Sequence, residues 1–199
     1  MPPAHNVFAA FAIGALIWPV SVQAQTTAVA GGSPANITLT IPVTASVATR
    51  CSFSVSGTYD VPEITSGFTH DFSMALQCST AVRVAVVSAN GGLLAAIATP
   101  PLGYSRLAPY DVALSLVGNS GVPTATAVCV AATLTSTAGA PCIFRGPAAS
   151  NQGLRLGGAS SGASGSYLRV SAPVYAGSET LIASTTYADT LTVTVSPTI

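Results

Sequence analysis

The sequence predicts an all-β fold, and three observations predict it. Short runs of alternating or β-branched residues recur along the chain, separated by Gly, Pro, Asn and Ser turns. No useful stretch carries the period of about 3.6 residues that marks an amphipathic helix. Both ends of the expected exported part are threonine-rich stripes of two-residue alternation. Many short strands at such spacing argue for a β-sandwich rather than for strands alternating with helices.

The elements follow in chain order. Val7 to Val20 is an apolar run of 14 residues broken by Gly14, and Val22-Gln23-Ala24 ends it with the small residue that signal peptidase accepts. Roughly twenty apolar residues are needed to span hydrocarbon, so residues 1–24 are expected to be a removed signal peptide and not an anchor. No Lys or Arg precedes the run, and cleavage after Ala30 is the alternative. Residues 25–48 then carry a strand-length stripe. Ile37, Leu39, Ile41, Val43, Ala45 and Val47 project to one face, with Thr38, Thr40, Thr44 and Ser46 on the other. Pro42 lies on the outward side, and because a proline cannot donate to a ladder the stripe suits an edge or an inserted strand.

Residues 49–199 are expected to form one domain, large enough for a substantial core. Its expected strands are Cys51 to Val55, Phe68 to Cys78, Val82 to Ser88, Val112 to Val117, Ala127 to Leu134, Tyr167 to Val174 and Leu181 to Thr185. A closing strand over Tyr187 to Val195 turns Leu191, Val193 and Val195 inward. Asn90-Gly91-Gly92, Gly118-Asn119 and Gly139-Ala140-Pro141 read as turns, and Gly153 to Gly165 as a mobile loop.

Composition excludes several function classes. Only 6% of residues are charged and the formal net charge is zero, so the chain has no electrostatic footprint for nucleic acid or anionic lipid. A weakly charged surface also gives little protection against association, and life in an assembly is expected. Cys51, Cys78, Cys129 and Cys142 are even in number in an exported chain, which points to disulfides. Of the three connectivities, Cys51 with Cys78 and Cys129 with Cys142 is favoured because neither loop crosses the other. No C-x-x-C spacing supports a zinc site, and no metal or cofactor is expected. His70 is the only histidine after residue 24; its neighbour Asp71 points to the opposite strand face, and no G-x-S-x-G elbow is present. No enzyme is expected from such a set.

Several motifs in one order resemble a family. Val43-Thr-Ala-Ser-Val-Ala-Thr-Arg-Cys51 is followed by Gly57-Thr-Tyr-Asp60, then Gln77-Cys78, Val82-Arg-Val-Ala-Val-Val-Ser88 and Asn90-Gly-Gly92, and the chain closes on Tyr187-Ala-Asp-Thr-Leu-Thr-Val-Thr-Val195. This succession resembles the spore coat protein U domain, which is also the domain of archaic chaperone–usher pilus subunits. The likeness covers about Ile37 to Ser88 and Ser166 to Val195, and departs at Ser56 and Ser196-Pro197, where the family carries aromatics. The resemblance implies an immunoglobulin-like, pilin-type β-sandwich that is one strand short. Its groove, lined by Leu191, Val193 and Val195, is filled first by a periplasmic chaperone and then, at the outer-membrane usher, by the N-terminal strand of a neighbouring pilus subunit. In this chain residues 37–47 are the expected donor. The implied function is a structural subunit of a secreted adhesive pilus at the cell surface. The alternatives are a secreted binding module, either a tip adhesin or a carbohydrate-binding sandwich, and a surface coat protein with a self-contained fold.

Overall fold

The computed structural model describes residues 49–198 apart from positions 56, 62, 162–164 and 184–185, so the expected signal peptide and the stripe from Ile37 to Val47 lie outside the described residues. The described chain is all-β. Its strands are β1 (Cys51–Val55), β2 (Phe68–Cys78), β3 (Val82–Ser88), β4 (Leu93–Ala95), β5 (Tyr104–Ser105), β6 (Leu107–Ala108), β7 (Asp111–Leu116), β8 (Ala125–Val130), β9 (Leu154–Leu156), β10 (Ser160–Ser161), β11 (Tyr167–Ala172), β12 (Thr180–Leu181), β13 (Tyr187–Ala188) and β14 (Leu191–Pro197). Short 3-10 turns at Ile64–Ser66 and Ala131–Leu134 are the helical elements among these residues.

Two sheets carry the structure. The larger runs β1-β2-β11-β7-β8, with β10 extending the β11 side of β2; the second runs β14-β3-β9. Within both, neighbouring strands are antiparallel. Alternation decides which residues face the interior. Along β2, Phe68, His70, Phe72, Met74, Leu76 and Cys78 turn inward while Thr69, Asp71, Ser73, Ala75 and Gln77 stay exposed. Val82, Val84 and Val86 of β3 meet Val112, Leu114 and Leu116 of β7 in one buried cluster with Met74, Leu76, Leu134, Phe144 and Leu156. Gly153 shows why the approach to β9 is tight: at φ 108° its backbone passes so close to β3 that an added Cβ would lie 2.9 Å from the Val84 carbonyl oxygen.

The two disulfides join Cys51 to Cys78 and Cys129 to Cys142, the favoured pairing of cysteines adjacent in sequence. Cys51 and Cys78 stand directly opposite each other in the β1–β2 ladder.

Five expectations need correction. The strand expected over Leu181 to Thr185 is β12, which ends at Leu181. The strand expected over Ala127 to Leu134 is β8 followed by a 3-10 turn: the ladder ends where Ala131 donates to the Tyr110 carbonyl at 2.9 Å, and Ala131 and Leu134, three residues apart, then both turn into the core. Gly153 to Gly165 is not simply a loop, since β9 pairs with β3 and β10 with β2 inside it. Tyr167 to Val174 ends as a strand at Ala172. The closing strand is two strands, β13 on β4 and β14 on β3, separated at Asp189 and Thr190. Asp189 causes the break, because its carboxylate accepts from its neighbour's amide, Thr190 N, at 2.7 Å and bends the chain there.

Candidate functional site: a groove between two free edges

Side-chain direction and backbone direction alternate together along a strand, so knowing which amides pair across a ladder tells which face outward. In β14 the even-numbered residues face β3: Ala89 N donates to the Thr190 carbonyl at 3.0 Å and Thr198 N to Ala81 at 2.8 Å. Leu191, Val193 and Val195 therefore turn their N–H and C=O groups to the free edge of β14 while their side chains point inward. Pro197 belongs to the same set, which is why a proline is tolerated there: its missing N–H faces the free edge and not the β3 ladder. In β1 the Ser79 amide bonds the Arg50 carbonyl at 2.9 Å, so even-numbered residues face β2. Cys51, Phe53 and Val55 thus present their backbone groups to the free edge of β1. Among the described residues, β1 ends one sheet and β14 ends the other.

Between these two edges lies a cavity of about 720 Å³. Phe53 and Val55 of β1, Phe68 and Phe72 of β2, Leu168 and Val170 of β11, and Leu191 and Val193 of β14 form its apolar walls. Most of these side chains are only half-buried. Of the three closing-strand residues expected to line a groove, Leu191 and Val193 do so; Val195 packs against the core further along and is not part of the wall. The expected donor residues Ile37, Leu39, Ile41, Val43, Ala45 and Val47 are outside the described residues.

One end of the cavity is aromatic and polar. Tyr59 stacks on His70 with ring centroids 4.0 Å apart and planes 6° from parallel, and His70 meets Phe72 edge-on at 4.7 Å. His70 is thus an aromatic spacer in the β2 row. Asp189 lies at the same end and is saturated: its carboxylate accepts from the Ser88 hydroxyl (2.6 Å), the Tyr110 hydroxyl (2.7 Å), Asn90 N (3.0 Å) and Thr190 N (2.7 Å). The Ser88 hydroxyl in turn accepts from Gly91 N at 2.7 Å, which locks the Asn90-Gly91-Gly92 turn. Burial and the Asp189 charge push the Tyr110 hydroxyl far above the usual phenol pKa. Asp189 is the knot that ties β14, the turn after β3 and the residue preceding β7.

Comparison with protein-family models, with curated proteins and with solved structures found no match to the chain. The functional argument therefore rests on these residues and their geometry.

Sequence reasoning found one wall of the groove and missed the other. Phe53, Val55, Phe72 and Leu168 read as ordinary inward strand residues, and no local signal says that the edge of β1, the last strand of its sheet among the described residues, stands across from β14. Chemically, the arrangement offers an apolar trough flanked by two rows of backbone donors and acceptors that have no ladder partner among the described residues. No group of three or more His, Cys, Asp or Glu side chains suited to a metal occurs among the described residues.

Proposed function

We propose that this chain is a structural subunit of a secreted adhesive pilus, an immunoglobulin-like sandwich of the spore coat protein U kind that lacks one strand. The groove between β1 and β14 is the acceptor, and residues 37–47 of a neighbouring subunit are the donor. One observation carries the reading: both edges of an apolar cavity expose the backbone groups of residues whose side chains line it, Phe53 and Val55 on one side and Leu191 and Val193 on the other. A bound extended segment satisfies the ladders while its alternate side chains fill the trough, which is the mode of strand addition. A small rigid ligand answers the trough alone and leaves the edges bare. The donor stripe has the matching period, and its near-neutral composition favours association. In this reading a periplasmic chaperone fills the groove during export, and an outer-membrane usher is where the neighbour's strand replaces it.

The test is removal of residues 25–47 from the exported chain. The truncated subunit is expected to accept a wild-type donor and to form no polymer by itself; long fibres from the truncated chain alone overturn the donor role. Ile41→Asp sharpens the result, since it forces an unpaired charge into an apolar trough at a cost of several kcal/mol. A folded but unpolymerised Ile41→Asp chain supports exchange between subunits. A chain that no longer folds places the stripe in the domain's own core and favours the self-contained coat protein.

A further inference from the structure

The two ends of the groove differ in charge. Arg50 lies at one end, beside the β2–β3 connection that also receives Thr198. Arg83 stands opposite Ser196 in the ladder there, but its guanidinium donates to the Ser150 and Gly153 carbonyls and does not line the groove. At the other end, beyond Val55 and Leu191, a second cavity of about 810 Å³ shares Tyr59, Val61, Leu93 and Asp189 with the groove and is also lined by Asp60 and Glu63. Asp189 is consumed by its four donors. Among the described residues the Glu63 carboxylate accepts only from Thr65, and Asp60 is exposed with no side-chain partner.

The stripe that fills the groove in the donor-strand reading is uncharged, and so is the chain before it back to residue 25. Arg50 is the first Arg or Lys of the sequence, three residues beyond Val47. It is exposed, and only its backbone is bonded, to Ser79. The eleven residues from Ile37 to Val47 outrun the seven of β14, so the stripe projects past the end of the groove. Three further extended residues reach about 10 Å. If the strand enters antiparallel to β14, this projecting end, and Arg50 behind it, arrive at Asp60 and Glu63. If it enters parallel, Arg50 arrives at the end where the receiving copy's own exposed Arg50 stands. In a chain with so few charges, that contrast discriminates between the two directions.

Resting on the donor-strand reading, we infer that the incoming strand belongs to a second copy of this chain, runs antiparallel to β14, and docks its Arg50 guanidinium on Asp60 and Glu63 of the receiving copy. These three residues form a contact that orients one subunit on the next.

The experiment follows polymer formation by the purified full mature chain as wild type, as Arg50→Glu, as Asp60→Arg with Glu63→Arg, and as the triple variant, each at low and high salt. Each partial reversal is expected to slow assembly about fivefold at low ionic strength, the upper range for an exposed pair. The deficit shrinks at high salt, where exposed charges are screened. The triple variant is expected to return to within about twofold of wild type, because it restores the pair with the signs exchanged. Wild-type rates for Arg50→Glu, or no recovery in the triple variant, overturn the contact. Ile41→Asp runs in parallel: if it polymerises normally the donor-strand reading itself fails, whereas blocked Ile41→Asp with indifferent Arg50→Glu removes only the charge contact.

Discussion

The two flanks of this molecule are built from the same residue types and end differently. On one flank β8 and β9, the last strands of their sheets, lie close to each other, and Leu116, Leu134, Phe144 and Leu156 behind them are wholly buried. On the other flank β1 and β14 are also last strands, yet a cavity separates them, and Phe53, Val55, Leu191 and Val193 are only half-buried. Burial here follows from whether a neighbouring strand completes the layer, not from how apolar the side chain is. The half-buried side is the one that the proposed donor strand would complete.

The largest effect should come from the closed flank. Phe144→Ala removes a side chain with 0% exposure, and a loss of about 3–5 kcal/mol in unfolding free energy is expected from a denaturant titration. A loss below about 1 kcal/mol would mean that this flank is no better packed than the open one. Next, replacing Cys129 and Cys142 by Ala opens a loop closed over 13 residues, for which chain entropy predicts a loss of about 3 kcal/mol. Thermal unfolding of the double variant under oxidising conditions measures it.

Tyr110 tests the knot at the end of the open flank. Its hydroxyl pKa is raised by burial first and by Asp189 second, so the folded state favours the protonated phenol. An unfolded tyrosine ionises near pH 10, and the linkage sign follows: this stabilisation is complete below about pH 10 and falls as pH climbs above it, by up to about 1.4 kcal/mol per pH unit. Tyr110→Phe should flatten that decline in alkaline unfolding curves, at a cost near neutrality of about 1–3 kcal/mol from the hydrogen bond lost to a carboxylate. An unchanged alkaline slope in the variant would place the titrating group elsewhere.

A smaller stability effect belongs to the groove wall. Val193→Ala is expected to lower unfolding free energy by less than about 1.5 kcal/mol, because its surroundings are already open. Strand binding should weaken by more than stability does, read by titration with a synthetic peptide of residues 35–48. Equal losses in both would erase the distinction between the flanks. Smaller still is the exposed Arg169–Asp71 pair on the outer sheet face, 2.6 Å apart with both side chains about 40% exposed; Asp71→Asn should cost under about 1 kcal/mol.

How much was legible in advance varies by element. β1, β2 and β3 begin and end where the alternation and the bounding turns put them, because period-two patterns and turn residues are local signals. β8 was overextended because Ala131 to Leu134 is as apolar as a strand, and only the Tyr110 carbonyl and the core at three-residue spacing make it a 3-10 turn. The short strands β9 and β10 were hidden in a glycine- and serine-rich stretch whose pairing partners lie far away in sequence. Asp189 is the sharpest case: its acceptor role toward Ser88 spans 101 residues, and nothing beside it announces a partner.

The sequence by itself determined the bounds of β1, β2 and β3, which of their side chains turn inward, and that charge contributes little to the surface. These are properties of neighbouring residues, and short-range geometry transmits them directly. Only the tertiary structure decided that the outer edge of β1 faces the outer edge of β14 across a cavity, that Asp189 ties three separate segments together, and that Asp60 and Glu63 line the space beyond one end of the groove. Those facts depend on which strands become neighbours, and strand pairing is set by the summed packing of distant segments, for which no residue carries a local code.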